Sequence, residues 1–152
     1  MAVALGLSQH PLAQDFEAST QLHITDGLPA LIPLIEHNVA LNLLHAPSKV
    51  GVETHELALG KELSPKIPKE PDVILAADCA YLEETFPLLV KTLKELMGKA
   101  RVLWFCYKKR RKRDKECIRL IGKVFSVTQI KGEWERESVF LFKVKQRSQP
   151  HE

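Results

Sequence analysis

The stretch DVILAADCAYLEETFPLLVKTLKELM, residues Asp72 to Met97, decides the fold. After Asp72 its first residues are an unbroken apolar run to Ala77, the pattern of a strand buried on both faces. From Glu83 the period changes. Phe86, Leu89, Val90, Leu93 and Leu96 recur at three- and four-residue spacing, which predicts a helix over Glu83 to Met97 with Gly98 as its C-cap. A buried strand passing directly into an amphipathic helix is the repeating unit of parallel α/β sheets.

Working outward, the alternation continues on both sides. Upstream, Gln21 to Asp26 (QLHITD) is a short β-prone run closed by a carboxylate. Leu28, Leu31, Ile32, Leu34, Ile35, Val39 and Leu43 follow near helical spacing, with Pro29 in the first turn, where its missing N–H does little harm. Lys49 to Glu56 reads as a further strand, and Leu63 to Asp72, with three prolines, as a surface loop. Downstream, Val102 to Tyr107 (VLWFCY) is a second buried-strand candidate, and Cys117, Ile118 and Ile121 mark a helix over Asp114 to Lys123. Phe125 to Ile130 and Ser138 to Val144 then read as two strands of a hairpin joined by Lys131 to Glu137. The whole predicts one α/β domain, mainly parallel, with an antiparallel end.

Bulk composition narrows the function classes. The chain has 152 residues, 45% of them hydrophobic, enough for a substantial core. Its 22 Lys and Arg against 19 Asp and Glu give a formal charge of +3, too balanced for a chain whose main task is neutralising phosphate. The three cysteines, Cys79, Cys106 and Cys117, form no CxxC pair, which favours reduced thiols in a cytosolic or nuclear setting, and the protein is expected to be soluble and cytoplasmic. No apolar run approaches the roughly 20 residues of a membrane span, and Met1 to Leu7 lacks the basic flank of a signal peptide. The histidines His10, His23, His37, His45, His55 and His151 show no metal-ligand spacing, so no metal is expected.

Three places carry candidate chemistry. Asp26 ends a strand before a helix, where nucleotide-binding α/β folds place a carboxylate to accept hydrogen bonds from ribose hydroxyls. It reads equally well as a cap for the helix beginning near Leu28. Asp78 and Tyr81, in D-C-A-Y, follow the run ending at Ala77 and so lie at the carboxyl end of a strand, the ligand-binding side of open sheets. The structural alternative is a loop aspartate capping the next helix, with a tyrosine packed at its base. Lys108 to Arg113 (KKRRKR) is six consecutive cations. It reads as a solvated loop, a nuclear-localisation signal, a nucleic-acid patch or a docking surface for an acidic protein; no interleaved aromatic platform supports single-strand binding.

HITDGLPALIPLIEHNVALN, DVILAADCAYLEETFPLLVKTL and YKKRRKRDK together resemble the seven-stranded protein-lysine methyltransferases, the family that includes the valosin-containing-protein lysine methyltransferase. The likeness runs from about Ala2 to Lys145 and is greatest to the fungal branch acting on translation elongation factor one-alpha. It implies a Rossmann-like methyltransferase sheet with an antiparallel C-terminal hairpin, and S-adenosyl-L-methionine as cofactor. It also implies a protein substrate, elongation factor one-alpha, for a monomeric enzyme engaging neither membrane nor nucleic acid.

By the same resemblance Asp26 binds the cofactor ribose beside Gly27, and Ala77 and Leu59 line the cofactor. Leu59-Gly60 stands where the family carries a tryptophan-glycine pair near the adenine. Asp78 and Tyr81 lie beside the transferred methyl and the target lysine, and Tyr107 on the substrate side. Relatives begin with a strand and glycine-rich turn ahead of a helix that looks like Met1 to Leu7, so the domain, residues 1–152, is expected to be N-terminally incomplete and lacking its first strand. That strand belongs between Gln21–Asp26 and Asp72–Ala77, so its loss should leave two unpaired edges or make those strands close up. The alternative from a different class is a non-catalytic methyltransferase-like interaction domain docking through residues 108–113.

Overall fold

A computed structural model describes residues 21–43, 51–69, 71–80, 82–98 and 102–147. The expected helix at Met1 to Leu7 lies outside the described residues. The chain forms two compact units, one of residues 1–58 with 64–67, the other of residues 59–63 with 68–152.

In the first unit, β1 (Gln21–Asp26) and β2 (Gly51–Glu56) pair in parallel, from Gln21 opposite Gly51 to Asp26 opposite Glu56. Parallel neighbours need a crossover, which α1 (Ile32–Leu43) supplies after a single 3-10 turn at Pro29–Leu31. The apolar pattern of α1 is split between two faces. Ile32, Ile35 and Val39 are half-buried, and the Thr54 hydroxyl donates to Glu36 at 3.1 Å, which fixes α1 to the Val52–Thr54 side of the strands. Leu34 and Leu41 point away and are more than half exposed. The proline-rich segment is less of a surface loop than its composition suggests: the Ile67 N–H donates to the Ser64 carbonyl at 2.9 Å, and Ile67 is buried.

The second unit contains β3 (Val73–Ala77), α2 (Phe86–Leu96), β4 (Val102–Lys108), α3 (Asp114–Val124), β5 (Ser126–Ile130) and β6 (Val139–Lys145). Its sheet order is β3-β4-β6-β5. β3 and β4 are parallel, and the last strand inserts antiparallel to both β4 and β5. The expected closing hairpin is therefore present, with a 3-10 turn at Glu133–Glu137 in its connection. Alternate residues of β4, Leu103, Phe105 and Tyr107, are buried with Phe142 and Val144 of β6. The facing layer is Phe86, Leu89, Leu93 and Met97 from α2 and its cap, with Cys117, Ile121 and Phe125 from α3 and its cap.

Six strands are described, in two sheets; β1 and β3 do not pair with each other, and among the described residues each has one edge without a strand partner, the first of the two expected arrangements. Two other expectations change. β3 is not buried on both faces. Ile74 and Ala76 pack on the core, whereas Val73 is 46% and Leu75 59% exposed, because both helices of this unit that pack on the core lie on the other side of the pleat. Gly98 is not a left-handed cap. α2 ends at Leu96 with Met97 as its C-cap, whose carbonyl accepts from the Gln146 side chain at 2.8 Å, and among the described glycines only Gly60 has positive φ, at 76°.

The buried thiols give this core an alkaline limit. Burial pushes Cys117 up to about 12, helped by Cys79 and Asp114, and pushes Cys79 up to about 11 despite an opposing backbone hydrogen bond. Burial also raises Tyr107. Each group is neutral in the folded chain at a pH where the unfolded chain already ionises. Their contribution is therefore complete below the unfolded thiol value of 9.0 and is lost as pH rises through about 11 and 12. The urea midpoint should fall steadily over that window and Cys117→Ser should flatten the fall; a midpoint constant across it would refute the assignment.

Candidate active site

Asp26 is the last residue of β1, half-buried, and its carboxylate emerges at the carboxyl end of the parallel pair. Oδ1 accepts the Leu28 N–H at 2.8 Å, a two-residue side-chain turn that steers the chain into the 3-10 turn and α1. The backbone carbonyl of Asp26 accepts from the Leu57 N–H at 2.8 Å, extending the ladder past β2. So Asp26 holds the turn before the helix and does not cap it: the N-cap is Leu28, without a side-chain cap bond, and only one carboxylate oxygen of Asp26 is engaged in the turn. A carboxylate accepts along about four lone-pair directions, so capacity remains for a hydroxyl pair. A Cβ on the neighbouring Gly27 would meet nothing closer than the Leu57 carbonyl at 3.5 Å. Packing therefore does not demand glycine at that position.

In the second unit Ala77 closes β3 opposite Cys106 and is exposed. Asp78 follows in the left-handed region, with φ of 54°, its N–H donating to the Cys106 carbonyl at 3.0 Å. A non-glycine residue held there is strained, and aspartate is among the few types that tolerate it. Asp78 does not cap the following helix. Its Oδ2 accepts from the Arg110 guanidinium at 3.0 Å, both side chains being just over half exposed. Tyr81 lies outside the described residues.

The basic segment is folded, not a loose tail. Asp114, 5% exposed, takes the Arg110 and Arg111 N–H groups on Oδ2 at 2.7 and 2.8 Å, so one buried carboxylate curls the segment over the start of α3. Arg113 forks onto both oxygens of Glu83 at 3.0 and 2.9 Å. Two of the six cations are thus committed to acids beside the strand end. Lys108, Lys109, Arg111 and Lys112 have no ion partner among the described residues.

Leu59 and Gly60 turn where φ of 76° and contact with Leu88, 2.7 Å from a would-be Cβ, both exclude a side chain at Gly60. The turn is bolted to α2. The Gly60 N–H donates to the buried Thr92 hydroxyl at 2.8 Å, and the Gly60 carbonyl accepts from Lys91 at 2.8 Å. Leu59 packs against the core of this unit. Tyr107, expected on the substrate side, lies in the core. At 3% exposed it stacks on Phe140 and Phe142, with centroids 5.8 and 6.0 Å away, because its place in the β4 alternation points it at the helices and not at a ligand.

Arg110 and Thr92 were not singled out from the sequence. Arg110 had a signal, being inside the basic run, but nothing local showed which of six cations reaches Asp78. His23, Glu53 and His55, brought together across β1 and β2, gave no signal by spacing.

A family profile described as lysine methyltransferase matches residues 4–124. Protein-lysine N-methyltransferase EFM6 of Saccharomyces cerevisiae is 39% identical over 125 residues, covering 76% of this chain and 49% of the relative. EEF1A lysine methyltransferase 3 of Mus musculus is 36% identical over 88 residues, covering 57% of this chain and 35% of the relative. The chain thus spans about half the length of the first of these and less of the second. Among solved structures, the N-terminal domain of human METTL16 in complex with SAH superposes with a TM-score of 0.54 at 14% identity, covering 89% of this chain and 65% of that one. At that identity it shows the fold, the Rossmann-like methyltransferase type.

Proposed function

The chain belongs to the lysine methyltransferase family, and from that premise we propose that it serves an S-adenosylmethionine-dependent transfer of a methyl group to a protein lysine. The reading takes residues 1–152 as one methyltransferase-type domain, monomeric and cytoplasmic, with elongation factor one-alpha as substrate; the name of the mouse relative supports that choice.

The observation that carries the reading is the setting of Asp78, a strained, exposed carboxylate at the carboxyl end of a parallel strand, holding a cation. A free lysine has a pKa of about 10.4 and arrives as an ammonium. Asp78 receives it as it now receives Arg110. An exposed ion pair is worth roughly 0–1 kcal/mol, so an incoming lysine displaces Arg110 at little cost. The carboxylate then orients the amine nitrogen, and Arg110, released, joins Lys108, Lys109, Arg111 and Lys112 as a cation available to carboxylates of the substrate. Tyr81, the tyrosine of the family's motif, would shape the channel or stack on the cation. As the lysine is desolvated its proton is lost to solvent, against the attraction of Asp78, and the lone pair of the neutral amine is held for in-line attack.

The bound cofactor supplies an electrophilic sulfonium methyl. The residues present fit its ribose: Asp26 has accepting capacity left beyond its turn, and Gly27 adds no side chain beside it. Leu59 would offer an aliphatic face to the adenine, reached through the part of its side chain not packed on the core, and exposed Ala77 offers a small surface at the strand end.

Calorimetric titration of the folded chain with S-adenosylhomocysteine tests the cofactor half. Asp26→Ala should weaken binding by roughly tenfold or more, since a hydrogen bond to a charged group contributes about 1.5–3 kcal/mol. Equal affinity in the variant, with unchanged circular dichroism, would remove Asp26 from the cofactor site. The absence of binding by the folded parent chain would remove cofactor binding from this chain altogether.

A further inference from the structure

Three lone-pair donors meet on one face of β1 and β2 without enough protons to satisfy them. His23 stands opposite Glu53 in the parallel register, and His55, two residues further along β2, points to the same side. His23 Nδ1 lies 3.1 Å from His55 Nε2, and that same Nε2 lies 3.2 Å from the Glu53 carboxylate. α1 is held to the opposite face through Thr54 and Glu36, so this cluster is no part of that packing. Nor does it share the Asp26 turn.

One ring nitrogen carries either a proton or a lone pair, not both. If His55 Nε2 is protonated, it must divide one N–H between the carboxylate and His23. If it is not, its lone pair faces the carboxylate at hydrogen-bond distance with nothing between them. A metal cation meets all three groups at once. Donor atoms about 2.0–2.1 Å from a tetrahedral ion stand roughly 3.3 Å apart, close to the two distances observed. All three ligand atoms already lie within 4.8 Å of one another, and Glu53, with its side chain 57% exposed, has the freedom to close the remaining edge. The His55 side chain is only 9% exposed and is therefore preplaced.

We propose that His23, His55 and Glu53 bind a divalent transition-metal ion of the zinc type, with a fourth position open to solvent, and that the ion ties β1 to β2. Two imidazoles and one carboxylate suit a borderline ion better than calcium or magnesium, which prefer all-oxygen shells. The site is independent of methyl transfer and stands or falls without it.

The test is titration of chelator-stripped chain with Zn²⁺ by calorimetry, and with Co²⁺ by the visible absorption of a tetrahedral cobalt centre. One equivalent should bind, and Zn²⁺ should raise the melting temperature of the parent by mass action. His23→Ala, His55→Ala and Glu53→Gln should each weaken binding by at least the roughly tenfold that losing an outer-layer partner costs in known sites. His37→Ala, on the exposed surface of α1, should leave it unchanged. Should a histidine variant fail to fold, as judged by circular dichroism without metal, exposed Glu53→Gln decides: a drop supports the site and unchanged affinity overturns it. No binding by the parent, binding that survives both histidine substitutions, or equal loss in His37→Ala would each overturn it too.

Discussion

Asp78→Asn is expected to slow methyl transfer to a protein lysine by about 100-fold or more while leaving affinity for S-adenosylhomocysteine within about twofold. The asparagine is isosteric and can still accept a hydrogen bond, so the loss isolates the charge. Without that charge the ammonium has no counter-ion at the strand end, and Arg110 has none either. The amine is then neither drawn in nor held in line. Initial rates with saturating donor, set beside the cofactor titration, separate this from a binding defect. A variant with rates within about threefold of the parent would leave Asp78 as a structural residue whose role is the turn after β3.

Phe105→Ala should cost about 3–5 kcal/mol of stability. Phe105 is wholly buried at the middle of β4, opposite Phe142 in register and tilted against Tyr107 with centroids 6.2 Å apart. It touches the layer that both α2 and α3 cover, so the surroundings have little freedom to collapse into the space. Since domains of this size are stable by only about 5–15 kcal/mol, the loss is a large fraction of the total. Chemical denaturation should show it as a lower midpoint, and Leu34→Ala, at a position 54% exposed, should change that midpoint little. A loss below about 1 kcal/mol for Phe105→Ala would mean that β4 is not the centre of this core.

The order of elements was legible in the sequence because it rests on local periodicity. The change from the run ending at Ala77 to the spacing of Phe86, Leu89, Leu93 and Leu96 places β3 and α2 within a few residues of where they lie. The same periodicity could not say how many faces of a strand are covered, which is why Val73 and Leu75 were misread. Coverage depends on where helices far along the chain come to rest. The burial of Tyr107 has the same origin: only its place in the alternation of a packed strand sends it inward.

By itself, the sequence determined the α/β class, the antiparallel end, and Asp26 and Asp78 as carboxylates at strand ends, since each follows from residue type beside a period break. Tertiary structure alone decided what those residues touch. Arg110 meets Asp78 across 32 positions and His23 meets His55 across the same number. Such partners are chosen by strand register and by the burial of Asp114 under its own basic loop, and neither leaves a mark in local spacing.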